Sequence, residues 1–308
     1  GDVAYDFKAI PTAAISRIEV LRDGAAAQYG SDAIAGVMNI QLAGGTDGMV
    51  STNFAITGEG DGEHVEVAAA KGIPLGDDGF VRLTVQYQDH QPTDRSLPDT
   101  RQQYFGRNAS GALVAPSGNY GSGVGLTPSN GTLDPREATV DRDIWMFGDP
   151  KYDSLNLFLN AEKPLNDDVE AYAFGGYSRL EGTSYNFFRR AGQNDTVRSL
   201  HPDGFLPLHV IEFLNGSGAL GARGEDLAGF HWDLSTVYGG SKTSMTYKNT
   251  NNVSLGNGSK TEYYRGNTEF RQWTTNLDLS REIDLGGDQP LKFAVGFEYR
   301  KEFFDLRA

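Results

Sequence analysis

The stretch RIEVLRDGAAAQYGSDAIAGVMNI, from Arg17 to Ile40, decides the fold because nothing later in the chain resembles it. Its apolar Ile18 and Val20 predict a short buried strand, and the Asp-Gly pair that follows predicts a turn. The three alanines permit one helical turn, and a second strand is expected to begin near Val37. A mixed α/β unit of this length cannot bury a core alone, so it must pack inside something larger.

The composition of the whole chain favours β structure with many turns, since its 308 residues include 39 Gly, 14 Tyr and 17 Phe. A net charge of −14 argues against a nucleic-acid partner, because phosphate binding needs clustered Lys and Arg. Without cysteine, disulfides and thiolate chemistry are excluded. The chain starts at Gly1 without a signal peptide, so we interpret it as a mature or truncated segment.

Beyond Leu42 the sequence AGGTDG predicts a flexible joint, and the segments after it alternate between apolar and polar residues. A period of two is typical of strands with two chemically different faces. Three segments show the pattern clearly. One face of the first has Val81, Leu83, Val85 and Tyr87, and the other has Arg82, Thr84, Gln86 and Gln88. In the second, the apolar face has Leu155, Leu157 and Leu159 and the polar face has Asn156 and Asn160; in the third, the apolar face has Phe293, Val295, Phe297 and Tyr299 and the polar face has Lys292, Glu298 and Arg300. About nine such strands of ~10 residues predict the antiparallel strands of an up-and-down transmembrane β-barrel.

The connections between these strands are of two kinds. Short, acidic, Gly-rich turns begin at Pro74, Pro164, Gly224 and Asp284. Long loops are expected at 91–150, 181–210 and 241–268. Short turns that alternate with long loops place every long loop at one end of the sheet, as in outer-membrane barrels.

Motifs for chemistry are weak. The sequence GSGALG at 216–221 fits a dinucleotide-binding pattern, but no crossover helix follows it, so we predict a glycine-rich junction between a loop and a strand. The five histidines do not show the close spacing that is typical of metal ligands. They are His64, His90, His201, His209 and His231. We therefore predict no catalytic residue, no metal site and no cofactor.

At the head of the chain, IPTAAISRIEVLRDGAAAQYGSDAIAGVMNI resembles the C-terminal part of the plug domain of TonB-dependent outer-membrane receptors. The residues that fall on the plug motif include Arg17, Glu19, Arg22, Gly24, Tyr29, Gly30, Gly36 and Asn39. The resemblance implies a mainly β protein, with a small mixed α/β plug fragment at 1–44 and the N-terminal part of the barrel at 45–308. Barrels of this family have about 22 strands, so we expect less than half of one here.

The resemblance also implies a function. Such a receptor lies in the bacterial outer membrane, contacts its lipid, and imports a large scarce solute such as a siderophore, cobalamin, haem or an oligosaccharide. Energy comes from a TonB-type complex, through a segment that this chain is expected to lack, and no enzyme chemistry is implied. The alternatives are a carbohydrate-binding β protein or a β-rich hydrolase, and a passive porin, which would have no use for a plug.

One loop is a candidate ligand site. Its aromatic and basic residues are Tyr185, Phe187, Phe188, Arg189, Arg190 and Arg198. Rings beside guanidinium donors suit an anionic or planar ligand. The alternative is that the rings anchor the loop to itself or form an interfacial belt.

The plug arginines Arg17 and Arg22 need partners, because an unpaired charge away from water is costly. Glu19 lies on the same strand face as Arg17 and can satisfy part of this demand. The other predicted partners are wall carboxylates facing the lumen, with Glu162, Asp278 and Glu298 as candidates. Alternatively, Arg22 simply faces solvent.

Overall fold

The computed structural model describes residues 9–22, 36–114, 124–286 and 289–308. Two antiparallel strands, β1 (Ile15–Leu21) and β2 (Val37–Leu42), form a small sheet. The remaining strands are β3 (Gly48–Ala55), β4 (His64–Leu75), β5 (Gly79–His90), β6 (Lys151–Pro164), β7 (Val169–Tyr185), β8 (Leu208–Leu227), β9 (Phe230–Lys248), β10 (Tyr263–Ile283) and β11 (Leu291–Arg307). Short 3-10 helices occur at Thr12–Ala14, Pro135–Ala138 and Val253–Gly258.

Strands β3 to β11 form one open antiparallel sheet in sequence order, with β3 and β11 at its edges. This nine-stranded sheet confirms the predicted fold class. Within the described residues, no helix is long and apolar enough to cross a lipid bilayer.

The two faces of the sheet differ in chemistry, as the alternation predicts. One face, called the outer face here, carries Leu155 and Leu157, which are 39% and 43% exposed. The opposite, inner face carries Gln86 and Asn156, which are 2% and 1% exposed and lie directly opposite each other across β5 and β6. Apolar side chains therefore point outward and polar ones inward, the reverse of a soluble domain and the arrangement of a membrane barrel.

Several strands are longer than the predicted ~10 residues. Strands β8, β9 and β10 have 20, 19 and 21 residues. Pairing continues past the apolar part of β9, where Lys242, Ser244 and Thr246 still align with β8. The predicted loops 181–210 and 241–268 consequently shrink to 186–207 and 249–262, so those loop boundaries were wrong.

The glycine-rich segment 216–221 lies in the middle of β8, so its prediction as a loop-to-strand junction was wrong. At Gly221, the missing side chain leaves room for a ring from the neighbouring strand. A Cβ on Gly221 would lie 2.3 Å from the ring atom Cζ of Tyr172 on the neighbouring strand.

Short turns are present at 76–78, 165–168 and 228–229, although β8 runs to Leu227, past the predicted start of the third turn at Gly224. Strands β8 and β9 are joined by Ala228 and Gly229 alone, with φ of 56° and 79°. Two successive residues in the left-handed region match the hairpin turn whose twist suits antiparallel strands. Connections 56–63, 91–150, 186–207 and 249–262 all lie at the other end of the sheet, called the loop end here.

Candidate functional site

The plug motif builds a local polar network on the small sheet. The Arg17 guanidinium (Nη2) lies 2.7 Å from Oε1 of Glu19, and Asn39 on β2 donates from Nδ2 to Oε2 of Glu19 at 3.1 Å. Glu19 and Asn39 are direct partners in the strand register. A Cβ on Gly36 would lie 2.3 Å from the carbonyl oxygen of Leu21, so this position needs glycine. Glu19 thus satisfies Arg17 locally, as its position on the strand predicts.

Other motif residues divide into two groups. Arg22 is exposed at the end of β1, which agrees with the alternative that it faces solvent. Gly24, Tyr29 and Gly30 lie outside the described residues.

The segment Ala43–Asp47, called the joint here, connects the plug strands to β3 and is held against the inner face. Asn160 donates from Nδ2 to the carbonyl oxygen of Ala43 at 3.1 Å. Arg82 donates from Nη1 to the carbonyl oxygen of Asp47 at 3.1 Å and to its carboxylate at 2.9 Å. Arg82 is only 4% exposed, so the joint covers its charge. These contacts contradict the prediction of a flexible joint.

Close backbone contact reinforces the joint. The Gly72 amide on β4 donates to the carbonyl oxygen of Asp47 at 3.0 Å, and Lys71 Nζ donates to that of Thr46 at 2.9 Å. A Cβ on Gly72 would overlap the carbonyl oxygen of Gly45, at 1.9 Å. The glycine therefore lets the joint lie directly on the wall.

The three predicted wall carboxylates all lie on the inner face, but two already have arginine partners from the wall. Glu162 lies 3.9 Å from Arg223, and Glu298 lies 3.0 Å from Arg300. Asp278 stands beside Gly296 on β11, its partner in the register. Pairing of these carboxylates with the plug arginines stays a prediction, as does the domain boundary at residue 44.

Three long loops at the loop end pack against one another, and together they are called the cap here. They comprise the described parts of 91–150, together with 186–207 and 249–262. Tyr104 donates its hydroxyl to Asp203 at 3.0 Å, which joins the first loop to the second. Burial, with that hydrogen bond, raises the pKa of Tyr104 to about 12. Arg136 stacks on the same ring, with its guanidinium carbon 3.9 Å from the centroid.

The second loop is joined to the third in the same way. The Asn251 amide accepts from the backbone of Val197 at 2.8 Å and donates to the carbonyl oxygen of Asp195 at 3.0 Å. Ser199 donates its hydroxyl to Asn257 at 2.6 Å. Loop 186–207 therefore lies between the other two and is fixed on both sides.

Most residues of the candidate ligand loop are used in this packing. Arg190 is 7% exposed and donates to the carbonyl oxygen of Gln102 at 2.8 Å, and burial lowers its pKa. Arg198 stacks on Phe105 at 4.8 Å, and Phe187 meets the Trp145 ring edge-on at 5.8 Å.

The remaining members differ in position. Phe188 packs beside Gly204, where a Cβ would lie 2.8 Å from its ring, and Tyr185 ends β7. Arg189 pairs loosely with Asp195, at 3.8 Å. Unlike Arg190 and Arg198, Arg189 lines the open cavity that is described below.

Arg190→Ala is expected to loosen the cap, whereas Arg189→Ala is not. A hydrogen bond from a buried charged group contributes about 1.5–3 kcal/mol, and Arg190 is almost fully covered. Hydrogen–deuterium exchange across 186–207 in the full-length protein measures the difference. Equal protection in the two variants would contradict the structural role of Arg190.

A cavity of about 440 Å³ lies between loops 186–207 and 249–262, on the inner face of β8 to β10. Its floor is a row of rings: His209 aligns with Tyr247, which aligns with Tyr263 on the next strand. The ring centroids of His209 and Tyr247 are 4.3 Å apart. Above the row stand Arg189 and Asp195 from the second loop and Asn252 from the third.

Among these cavity residues, only Arg189 is a candidate on sequence grounds. The ring row joins three strands whose register cannot be read from one sequence. One sequence signal could have indicated these rings: each lies within about two residues of the end of its strand that adjoins a long loop.

Comparison with known proteins bears on both parts of the chain. Residues 1–37 match the TonB-dependent Receptor Plug Domain family. The fold matches two variants of the ferric enterobactin receptor PfeA from Pseudomonas aeruginosa, with TM-scores of 0.61 and 0.57 and identities of 17% and 18%. The chain carries the plug motif and the barrel-wall fold of a TonB-dependent receptor.

This receptor fold is confirmed at the level of architecture. Each alignment covers 98% of this chain but 38% of the PfeA chain, so the chain spans well under half of those receptors. At such identities the likeness concerns the fold alone. No curated protein matches the chain.

Proposed function

We propose that the protein acts in energy-coupled import of a large solute across a bacterial outer membrane. The observation that carries this proposal is the joint, because it fixes a plug-type strand pair to the polar face of a barrel-type sheet. A passive pore needs an open, water-filled lumen, which a strand pair fixed to the inner face would obstruct. The proposal assigns no chemistry on the solute, and therefore no catalytic residue and no cofactor.

The outer face supports a location in the membrane. Tyr238, Trp273 and Tyr299 are 53%, 47% and 51% exposed on that face, and the rings of Trp273 and Tyr299 are 6.4 Å apart. Aromatic rings of this kind flank the apolar band of outer-membrane barrels at the lipid interface. Outer-membrane lipid is the proposed partner of this face.

The proposed mechanism assigns a task to each part. The cap and the inner face capture the solute at the loop end, where the packed loops present fixed side chains. A TonB-type complex then displaces the plug, which opens a path along the inner face. The joint keeps the plug chain attached to the wall, since Arg82, Asn160 and Gly72 hold it in separate places.

Uptake measurements test this proposal even while the solute is unidentified. Cells with the full-length protein, cells without it, and cells without the TonB-type complex are grown in one complex medium. Untargeted mass spectrometry then compares the solutes that each strain accumulates. We expect at least one solute to be lost in both deletion strains. A solute lost without the receptor but retained without the TonB-type complex would indicate a passive pore.

A further inference from the structure

We propose that the cavity between loops 186–207 and 249–262 binds a neutral, hydroxyl-rich ligand of the oligosaccharide class. That this ligand is the imported solute rests on the proposed function. The chemistry of the binding site follows from the cavity itself.

The first observation is an unsatisfied acceptor. Oδ1 of Asp195 is buried and has no hydrogen-bond partner within the described residues. Its other oxygen lies 3.8 Å from Nη1 of Arg189, too far for a hydrogen bond. The Asp195 side chain as a whole is 40% exposed, and because Oδ1 is covered, Oδ2 is the carboxylate oxygen that it presents. An ionised carboxylate can only accept, so Oδ2 offers a strong acceptor to a ligand that brings an O–H or N–H donor.

Arg189 supplies the complementary groups. Its guanidinium is a donor only, and it stands beside the acceptor of Asp195. Hydroxyl groups both donate and accept, so two adjacent hydroxyls of a sugar ring can bridge this pair and satisfy both residues. A ligand with only acceptor oxygens satisfies Arg189 and leaves Asp195 without a donor.

The charge of the cavity points the same way. Arg189 and Asp195 are its charged lining residues in the described chain, and their charges cancel. Four other arginines of the cap are engaged by carboxylates: Arg95 by Asp61, Arg101 by Asp99, Arg136 by Asp134 and Arg142 by Glu137. Arg190 and Arg198 of the second loop donate to backbone carbonyl oxygens instead. Arg265, which does not line the cavity, donates to the Tyr247 hydroxyl at 2.6 Å. Among the described lining residues, a polyanionic ligand would thus meet one cation, Arg189, and the opposing Asp195 carboxylate.

The ring row provides the apolar counterpart. His209, Tyr247 and Tyr263 present flat surfaces beside the polar pair, and sugar rings have both apolar C–H faces and polar edges. The backbone amide of Lys260 donates to the Tyr263 hydroxyl at 3.1 Å, which holds that ring in place. A volume of about 440 Å³ falls within the ~300–1,000 Å³ of typical ligand pockets.

A glycan array probed with the purified full-length protein tests the inference. The array carries neutral and acidic oligosaccharides, and a ferric tris-catecholate complex is titrated separately as the anionic probe. We expect at least one neutral oligosaccharide to bind. Asp195→Asn should weaken that binding about tenfold, as expected for the loss of a charge-assisted hydrogen bond. Asp143→Asn removes an exposed charge of the cap away from the cavity and should leave binding unchanged.

Three results would overturn the inference: binding confined to anionic ligands, no bound glycan, or equal affinity in wild type and Asp195→Asn. Its failure is distinguishable from failure of the import proposal. Uptake of an anionic complex that needs the TonB-type complex, with no glycan bound, would reject the ligand class alone. Glycan binding without any TonB-dependent uptake would reject import and leave the site.

Discussion

Leu157→Arg in the full-length protein is expected to destabilise the membrane-inserted fold by ~2–4 kcal/mol, the cost of a charge near the bilayer midplane. Leu157 lies within the apolar run of β6 on the outer face, where it is 43% exposed. A guanidinium there must leave water for lipid, because its neighbours in the register, Val85 and Tyr177, offer no carboxylate. Urea unfolding in lipid vesicles measures the change.

The matched control is Asn276→Arg on the inner face of β10. Asn156, the immediate neighbour of Leu157, is unsuitable because it is 1% exposed, so a longer side chain there would be overpacked. Asn276 is less buried and lies opposite Glu298, whose carboxylate stands beside Arg300 through Oε1 and has a second oxygen for the new charge. Equal destabilisation at 157 and 276 would contradict the assignment of the faces.

Asp47→Ala is expected to release the joint. Arg82 is 4% exposed, and its Nε atom already has no partner within the described residues. Without the Asp47 carboxylate, the buried Arg82 guanidinium keeps one acceptor in the joint, the backbone carbonyl oxygen of residue 47. Losing the charged hydrogen bond costs about 1.5–3 kcal/mol. The visible result is greater leakage of vancomycin through the full-length protein in cells.

Asp77→Ala is the control for this change. It removes the same charge from an exposed turn between β4 and β5, and leakage should stay at the wild-type level. Wild-type leakage in Asp47→Ala as well, with normal amounts of protein in the membrane, would show that the joint does not retain the plug.

The sheet was largely predictable because its signal is local. Alternation along Leu155, Leu157 and Leu159 identifies a strand and its outer face whatever strands lie beside it. The same reasoning underestimated strand length. Beyond the apolar band, the outward positions of β9 become polar, as at Ser244 and Thr246, so hydrophobicity no longer marks this part of the strand.

The candidate site was harder to predict because it depends on contacts between distant segments. Arg190 looks like a ligand contact in the sequence, but in the structure the first loop covers it. Its partner there, Gln102, lies 88 residues away along the chain, so the sequence near Arg190 does not reveal the contact. The joint looks flexible by composition, and only the opposing Arg82 and Gly72 show that it is fixed. The ring row that contains His209 likewise depends on how β8, β9 and β10 pair, which one sequence does not reveal.

The most direct test of the account is lipid contact along β11, residue by residue. Single cysteines at 294, 295, 297, 298, 299 and 300 of the full-length protein are labelled with a fluorophore and placed in vesicles of brominated lipid. We expect quenching at Val295, Phe297 and Tyr299 on the outer face, and little at Ala294, Glu298 and Arg300 on the inner face. Uniform quenching, or quenching of the inner set, would contradict a barrel wall with lipid outside and the plug inside.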